Sequence, residues 1–257
     1  MVEQKQKGDA SNKEIIFGRN AVLSLLESRA GAVTRILVSK TIKPHIKSEI
    51  LDACRASKIP FDAVENALCE KYAPTQNHQG VIAFATPIES LDLEDLIKIL
   101  PQAPNKCLLI VCDHLEDPHN LGAIIRTAET AGASGVIIPK RGGVSVTGVV
   151  VKVSAGAATR LPVARVTNVA NTLKRLQEEN FWITALDMEG RDTLFKADLP
   201  PRSVLVVGAE GSGVSQATKK SCDDVRFIPM AGEVGSLNAS VAAALAIYEW
   251  VRSTNKM

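Results

Sequence analysis

Runs of apolar residues alternate with amphipathic stretches along the second part of the chain. Residues 107–113 form an unbroken apolar run that ends in Asp113, which is typical of a strand buried on both faces of a parallel sheet. Such strands alternating with helices predict an α/β domain with a mainly parallel sheet over residues 106–257. The later predicted elements are 121–131, 136–139, 149–158, 163–166, 169–178, 182–186, 204–208, 226–229 and 239–251.

Shorter elements alternate in the first third of the chain and predict a small α/β domain over residues 14–88. Residues 89–105 are predicted to link the two domains, because a helical stretch there is followed by the proline-containing segment 101–105. Residues 1–13 are polar and mixed in charge, which predicts a disordered tail. The predicted elements of this part are helices at 20–28, 46–56, 66–71 and 91–100, and strands at 35–38, 61–64 and 80–85.

Composition narrows the classes of function. The chain has 257 residues, of which 46% are hydrophobic, as expected for a globular protein with its own core. The net charge of +2 excludes a histone-like basic protein, and the 6 Phe, 2 Tyr and 2 Trp are too few for an RNA module built on aromatic platforms. Residues 1–88 carry 12 basic and 9 acidic side chains. This small excess fits either an RNA-facing domain or an ordinary solvated surface.

The cysteines and histidines indicate a cytoplasmic protein without a metal. None of the five cysteines forms a C-x-x-C pair and several lie in apolar runs, which favours buried, reduced thiols. His114 and His119 could join Asp113 and Asp117 around a metal ion, but their spacing is not that of a ligand set. The chain shows neither the apolar core of a signal peptide nor an apolar run long enough to span a membrane.

A glycine-rich segment, GAEGSG at 208–213, follows the predicted strand 204–208. A Walker A loop would need a lysine where Val214 stands, and a dinucleotide fingerprint would need G-x-G-x-x-G in place of G-x-x-G-x-G. Glu210 would repel an anionic phosphate but would tolerate a cationic ligand. The alternative is a strand-to-helix turn that needs glycine for a positive φ.

A second segment, DHLEDPHNLGAIIRTA at 113–128, begins at a strand end, where open α/β sheets place their sites. Asn120 is suited to cap the following helix. The apolar side chains of that helix recur at helical spacing, and Arg126 lies off their stripe. Arg126 therefore faces either a cleft or solvent, where Glu129 would be an ordinary partner.

The third segment, GSLNAS at 235–240, opens the last predicted helix. Ser236 and Asn238 are both plausible caps for that helix. The helix is rich in alanine, which permits close contact with another element or another subunit.

Taken together, NLGAIIRTAE, VGAEGSGV and IPM with SLNAS resemble the three motifs of the SpoU (TrmH) branch of the SPOUT RNA methyltransferases, over residues 105–257. The segment from IIFGRNAVLSLLE to NHQGVIAFA resembles the substrate-binding domain of the rRNA guanosine 2′-O-methyltransferase subgroup. The resemblance implies a sheet with a deep trefoil knot, a ribosomal-protein-like RNA-binding domain, and a homodimer with the active site at its interface. It further implies S-adenosylmethionine as the methyl donor, with no metal, in a pocket formed by Leu186, Gly208, Ile228, Met230 and Leu237.

The implied reaction is methyl transfer to a ribose 2′-hydroxyl, most naturally of a guanosine in 23S rRNA. Arg126 matches the arginine of the family. We expect it to position the hydroxyl and to stabilise the developing alkoxide. It is not expected to act as a base, because guanidinium keeps its proton at neutral pH and so cannot accept another. The resemblance implies RNA as partner, neither DNA nor membrane, and leaves a tRNA ribose 2′-O-methyltransferase or a non-catalytic ribosome-assembly factor as alternatives. The other polar site positions are Asn120, Glu210, Ser236 and Asn238.

Overall fold

A computed structural model describes residues 13–74, 77–196 and 198–255. The chain divides into two compact units. The first extends to Glu89 and also contains Val146–Arg160, and the second contains Ser90–Ser145 and the chain from Leu161 onward. The tail predicted for residues 1–13 lies almost wholly outside the described residues.

The second unit is built on a seven-stranded sheet in which every strand pair is parallel. The strands are β5 (Cys107–Asp113), β6 (Gly135–Pro139), β7 (Val163–Val166), β8 (Trp182–Leu186), β9 (Asp192–Thr193), β10 (Arg202–Gly208) and β11 (Asp224–Phe227). Their order in the sheet is β7-β6-β5-β10-β8-β11-β9. The helices are α4 (Leu93–Ile99), α5 (Pro118–Thr130), α7 (Val169–Glu178), α8 (Gln216–Lys219) and α9 (Ala239–Thr254).

The central strands have the apolar composition that burial on both faces requires. All seven residues of β5 are buried, and β10 is buried from Ser203 to Gly208. These two strands pair in register from Cys107 with Arg202 to Asp113 with Gly208. Their carboxyl ends therefore lie side by side. The chain continues from β5 to β6 on one side, while β10 lies on the other side of β5, and open α/β sheets bind ligands at such a switch point, beyond the carboxyl ends of the strands.

The first unit contains a four-stranded mixed sheet. Its strands are β1 (Glu14–Phe17), β2 (Val33–Ser39), β3 (Phe61–Val64) and β4 (Val81–Ala85), and their order in the sheet is β1-β4-β2-β3. β4 is antiparallel to both β1 and β2, and β2 is parallel to β3. The helices of this unit are α1 (Arg19–Arg29), α2 (Pro44–Ala56), α3 (Asn66–Tyr72) and α6 (Gly148–Val153).

The predicted fold class, a mainly parallel α/β sheet with a small α/β domain before it, is confirmed. The pattern of apolar residues missed the short elements β1, β9 and α8. The knot stays a prediction. Among the described residues, no helix is long and apolar enough to cross a membrane.

Two segments make contacts that the predicted domain limits do not anticipate. Residues 93–99 of the predicted linker form α4, whose Leu96 is fully buried in the core of the second unit. Residues 146–160 lie within the predicted second domain, yet they contact the first unit: Gly148 N donates to Glu14 (2.7 Å) and Ser24 Oγ donates to the Gly156 carbonyl (3.1 Å). The predicted domain limits, 14–88 and 106–257, stay predictions.

Candidate active site

A cavity of about 580 Å³ lies at the carboxyl edge of the parallel sheet in the second unit. Its floor is formed where the strands end, at Leu186 of β8 and Gly208 of β10, and by Ile228 just after β11. The loop before α9 and the first turns of that helix complete the wall. This volume is in the range of sites for small organic ligands.

All five residues predicted to bind the methyl donor line this cavity, although they lie in four separate segments of the chain. Leu186, Gly208 and Ile228 are buried, Met230 is half-buried and Leu237 is 37% exposed. The cavity therefore combines an apolar floor with an open mouth.

The glycine-rich turn forms one wall of the cavity, and its glycines are required for two different physical reasons. A β-carbon at position 208 would overlap the backbone of Gly213 and Val214, so Gly208 is required by close approach of the chain to itself. The expectation of a positive φ is met at Gly211 (83°) and Gly213 (66°). Asp187 holds the end of the turn, because its carboxylate accepts the Val214 N–H at 3.1 Å.

Three predicted polar residues meet at the mouth of the cavity. Asn120 Nδ2 donates to Glu210 Oε1 at 2.8 Å, and Asn238 Nδ2 donates both to the same oxygen (2.6 Å) and to Asn120 Oδ1 (2.9 Å). Asn120, Glu210 and Asn238, called here the amide–carboxylate triad, come from three elements that are distant in sequence. Glu210 receives its bonds from neutral amides, and within the described part of the chain no ion pair to it is found.

The capping expectations are partly corrected. Asn238 is the cap of α9, since its side chain accepts the N–H groups of Ser240 (3.0 Å) and Val241 (3.4 Å). Asp117, not Asn120, caps α5 through the His119 N–H (2.8 Å), which leaves the buried Asn120 amide available for Glu210. Ser236 does not cap α9 and lines the cavity as an exposed residue.

Arg126 stands apart from the other predicted residues. It is exposed on α5, off the buried stripe of Leu121, Ile124 and Ile125, and it does not line the cavity of its own chain. The structure thus brings the residues predicted to bind the donor close to the triad and leaves Arg126 outside the cavity.

Sequence reasoning missed four charged residues of the cavity wall. Lys219 Nζ lies 2.6 Å from Glu189 and 3.3 Å from Asp187, and Arg226 forms an ion pair with Asp224. The hydrogen bond with Glu189 raises the pKa of Lys219 and lowers that of Glu189. Asp187 directly follows β8, just as Asp113 ends β5, and this position was the available signal. The missed residues are Asp187, Glu189, Lys219 and Arg226.

Three of the four residues considered for a metal, Asp113, His114 and Asp117, have side-chain partners in the protein. Asp113 is buried and accepts the Ser215 N–H (2.9 Å), while its other oxygen lies 2.7 Å from His114 Nδ1. Asp113 thereby joins the end of β5 to the cap of α8. Burial also raises the pKa of the neighbouring Cys112 thiol to about 12, so this cysteine stays protonated at neutral pH.

Comparison with known proteins identifies the class. Residues 107–248 match the SpoU rRNA Methylase family, and residues 15–91 match the RNA 2′-O ribose methyltransferase substrate-binding domain. The fold, the cavity and these two matches together define an RNA methyltransferase. The chain belongs to the SpoU rRNA methylase family, which confirms the resemblance seen in its sequence.

Individual relatives agree with this assignment over almost the whole chain. YacO from Bacillus subtilis strain 168, which carries a TrmH family tRNA/rRNA methyltransferase name, is 37% identical over 242 residues, 94% of this chain and 96% of its own. The 23S rRNA (guanosine-2′-O-)-methyltransferase RlmB of Vibrio vulnificus strain CMCP6 is 37% identical over 241 residues, 94% and 97% of the two chains. The fold is shared with the SpoU methyltransferase AviRb of Streptomyces viridochromogenes, solved with AdoMet, at a TM-score of 0.78, 24% identity and coverages of 95% and 91%.

Proposed function

We propose that this protein transfers the methyl group of S-adenosylmethionine to the ribose 2′-hydroxyl of a guanosine in 23S rRNA. The observation that carries the proposal is the meeting of three distant segments at one cavity. Residues 208–213 and 236–238 line the cavity, and Asn120 joins them through its hydrogen bonds with Glu210 and Asn238. The activity named for the RlmB relative supplies the substrate class.

The cavity fits S-adenosylmethionine in size, polarity and charge. Leu186, Ile228 and Leu237 offer apolar contacts for the adenosyl part, and exposed backbone of the glycine turn offers hydrogen bonds. Glu210, which accepts hydrogen bonds from two neutral amides, gives the mouth a negative charge that favours a cationic donor. When bound, the donor supplies an electrophilic methyl carbon on a sulfonium sulfur.

The residues of this chain then have to position and activate the acceptor hydroxyl. A ribose 2′-hydroxyl is a poor nucleophile at neutral pH and must lose its proton during the attack. Arg126 positions this hydroxyl and stabilises the negative charge that develops on its oxygen, while a neighbouring RNA phosphate accepts the proton. Arg126 does not itself accept a proton, because guanidinium remains charged at neutral pH.

The triad and Ser236 shape the surface on which donor and acceptor meet. Hydrogen bonds from Asn120 and Asn238 fix the Glu210 carboxylate at the mouth of the cavity. Ser236 is exposed beside it and can bond to RNA or donor. We assign these four residues to orienting the reactants, with no proton transfer of their own.

Residues 14–88 recognise the RNA in this proposal. The match of residues 15–91 to a substrate-binding family supports that role, as does the excess of basic side chains in residues 1–88. All five thiols are free, which fits the reducing cytoplasm where rRNA is modified.

A homodimer completes the active site in this proposal. α9 exposes apolar side chains next to α5, the helix that carries Arg126: Val241 is 46% exposed, Leu245 37% and Tyr248 50%. Together with Phe195 they form an apolar surface suited to a second copy of the chain. Because Arg126 lies outside its own cavity, the partner subunit can bring it to the acceptor at the other cavity.

Mass-spectrometric mapping of 2′-O-methyl groups tests the proposal. Ribosomal and transfer RNA from cells with and without this protein should differ at one guanosine of 23S rRNA. Loss of a tRNA methyl group would replace the proposed substrate by tRNA. Identical RNA from the two strains would favour a ribosome-assembly factor that has no catalytic role.

A further inference from the structure

Three loops lie together at one end of the strands of the first unit's sheet, and this end is called the loop edge here. β4 is antiparallel to both β1 and β2, so the ends of β1 and β2 lie beside the start of β4. This edge therefore carries residues 18–19, 40–43 and 78–80. α6 adds Lys152, which comes from a distant part of the sequence.

The loop before β4 is held in an unusual conformation. Gln79 has a φ of 53° and Gly80 a φ of 74°, both in the left-handed region. The buried His78 fixes this loop by accepting the Gly80 N–H on Nδ1 (3.0 Å). Strained non-glycine backbone of this kind clusters at functional sites.

The loop presents Gln79 to a lysine. Gln79 Oε1 accepts hydrogen bonds from the Arg19 N–H and from Lys152 Nζ, both at 3.0 Å. The Lys152 ammonium lies over Gly18, where a β-carbon would overlap it. This partner is a neutral amide, and no ion pair to Lys152 is found within residues 13–74, 77–196 and 198–255. The charge of Lys152 is therefore oriented there without being compensated. Burial lowers the pKa of Lys152, and a nearby anion would offset that cost.

The other cations of this edge fall into two kinds. Lys40 forms an ion pair with Glu65 (2.7 Å), and Arg19 forms one with Glu49 (2.6 Å). Lys43 is exposed at the start of α2, and no ion pair to it is found among the described residues. The backbone N–H groups of the first turn of α2 lie next to it and also favour an anion.

We propose that Lys152 and Lys43 bind phosphate groups of the RNA backbone at this edge, with Gln79 as the residue that positions Lys152. The inference rests on the proposed function, because it assigns the RNA contacts of the substrate-binding unit. Ammonium groups and backbone N–H donors suit phosphodiesters, and contacts of this type set the position of an RNA without reading its bases.

The decisive variant is Gln79→Glu. It keeps an oxygen acceptor for Lys152 and Arg19 but neutralises the ammonium of Lys152. Lys43→Gln removes the second proposed contact, and Lys58→Gln is the matched control. Lys58 precedes β3, which is parallel to β2, so it lies exposed at the opposite edge of the same sheet. Each of the three substitutions changes the net charge by the same amount.

Filter binding of unmodified 23S rRNA transcribed in vitro, at several KCl concentrations, provides the readout. We expect Gln79→Glu and Lys43→Gln each to weaken binding about tenfold at low salt and to reduce the slope of log K against log [KCl] by about one. Lys58→Gln should match the wild type. Donor affinity should stay unchanged in all three. The melting temperature should not fall in any of them, and in Gln79→Glu it should rise slightly, because the new carboxylate pairs with the half-buried Lys152 ammonium. If Lys152 had a purely structural role, Gln79→Glu would leave RNA binding and its salt dependence unchanged.

The outcomes separate the two proposals. Wild-type protein that fails to bind rRNA would contradict the proposed function itself. Wild-type binding with equal affinities and slopes for Gln79→Glu, Lys43→Gln and Lys58→Gln would overturn this inference alone. If Gln79→Glu does not fold, Lys43→Gln compared with Lys58→Gln decides the question.

Discussion

At the scale of single residues, Arg126 tests the chemistry separately from donor binding. It lies outside the donor cavity, so Arg126→Ala should leave the affinity for S-adenosylmethionine nearly unchanged. Methyl transfer should fall at least ~100-fold, the scale of one lost transition-state contact. Calorimetry and a single-turnover assay with labelled donor measure the two effects.

Two controls sharpen this prediction. Arg126→Lys should restore little activity, because an ammonium lacks the planar, two-pronged geometry of guanidinium. RNA with a 2′-deoxy nucleotide at the target should not react, and methylation of that RNA would mean that a base is modified. Near-normal turnover by Arg126→Ala would return this arginine to the role of a surface residue.

Glu210 tests the electrostatic contribution of the triad. Glu210→Gln keeps an oxygen that can accept from Asn120 and Asn238 but removes the charge. S-adenosylmethionine is a cation, whereas its demethylated product has no net charge. The preference for donor over product should therefore fall about three- to tenfold, as expected for losing one partly screened charge interaction. Competition calorimetry gives both affinities, and an unchanged ratio would restrict Glu210 to a structural role.

At the scale of elements, α9 contributes both to the cavity and to the proposed dimer surface, and one substitution addresses each. Ala242 lines the donor cavity, so Ala242→Trp should fill part of it and abolish donor binding, while Ala242→Ser should bind normally. Alanine at this position leaves space that a large side chain would occupy. Calorimetry measures the affinity of both variants for S-adenosylmethionine, and normal binding by Ala242→Trp would mean that the donor binds outside this cavity.

A neighbouring face of α9 tests the proposed homodimer. Tyr248 is 50% exposed in the apolar surface with Val241 and Leu245. Tyr248→Glu should place a charge in the interface and shift the protein to monomers, with loss of methyl transfer and retained donor binding. Light scattering after gel filtration reports the mass. A wild-type monomer would contradict the proposal, as would a fully active monomeric variant.

At the scale of the whole molecule, the proposal assigns donor binding to the second unit and RNA binding to the first. Every residue that lines the donor cavity belongs to the second unit. Deleting residues 1–88 should therefore preserve donor binding and remove most of the affinity for RNA. Residues 146–160 should lose protection from hydrogen exchange, since their partners Glu14 and Ser24 are gone. Equal RNA binding by the truncated and intact proteins would show that residues 14–88 are not the substrate-binding domain.

The local pattern of apolar and polar residues determined much of the secondary structure of this protein. The apolar run 107–113 coincides with β5, and the predicted segments 61–64, 169–178 and 182–186 coincide with β3, α7 and β8, because runs with a clear period fix their own secondary structure. The motifs also singled out five residues predicted to bind the donor, and all five line one cavity. Short elements such as β9 escaped because pairing, not composition, makes them strands.

Only the tertiary structure decided how distant residues combine. Nothing in the spacing of Asn120, Glu210 and Asn238 shows that one carboxylate oxygen accepts from both amides, nor that Gly208 must be small because Gly213 approaches it. The contacts of residues 146–160 with the first unit, and of Lys152 with Gln79, likewise join parts of the chain that sequence keeps far apart. Hydrophobic period is a local property that a sequence carries directly, whereas contacts between elements depend on how those elements assemble in space.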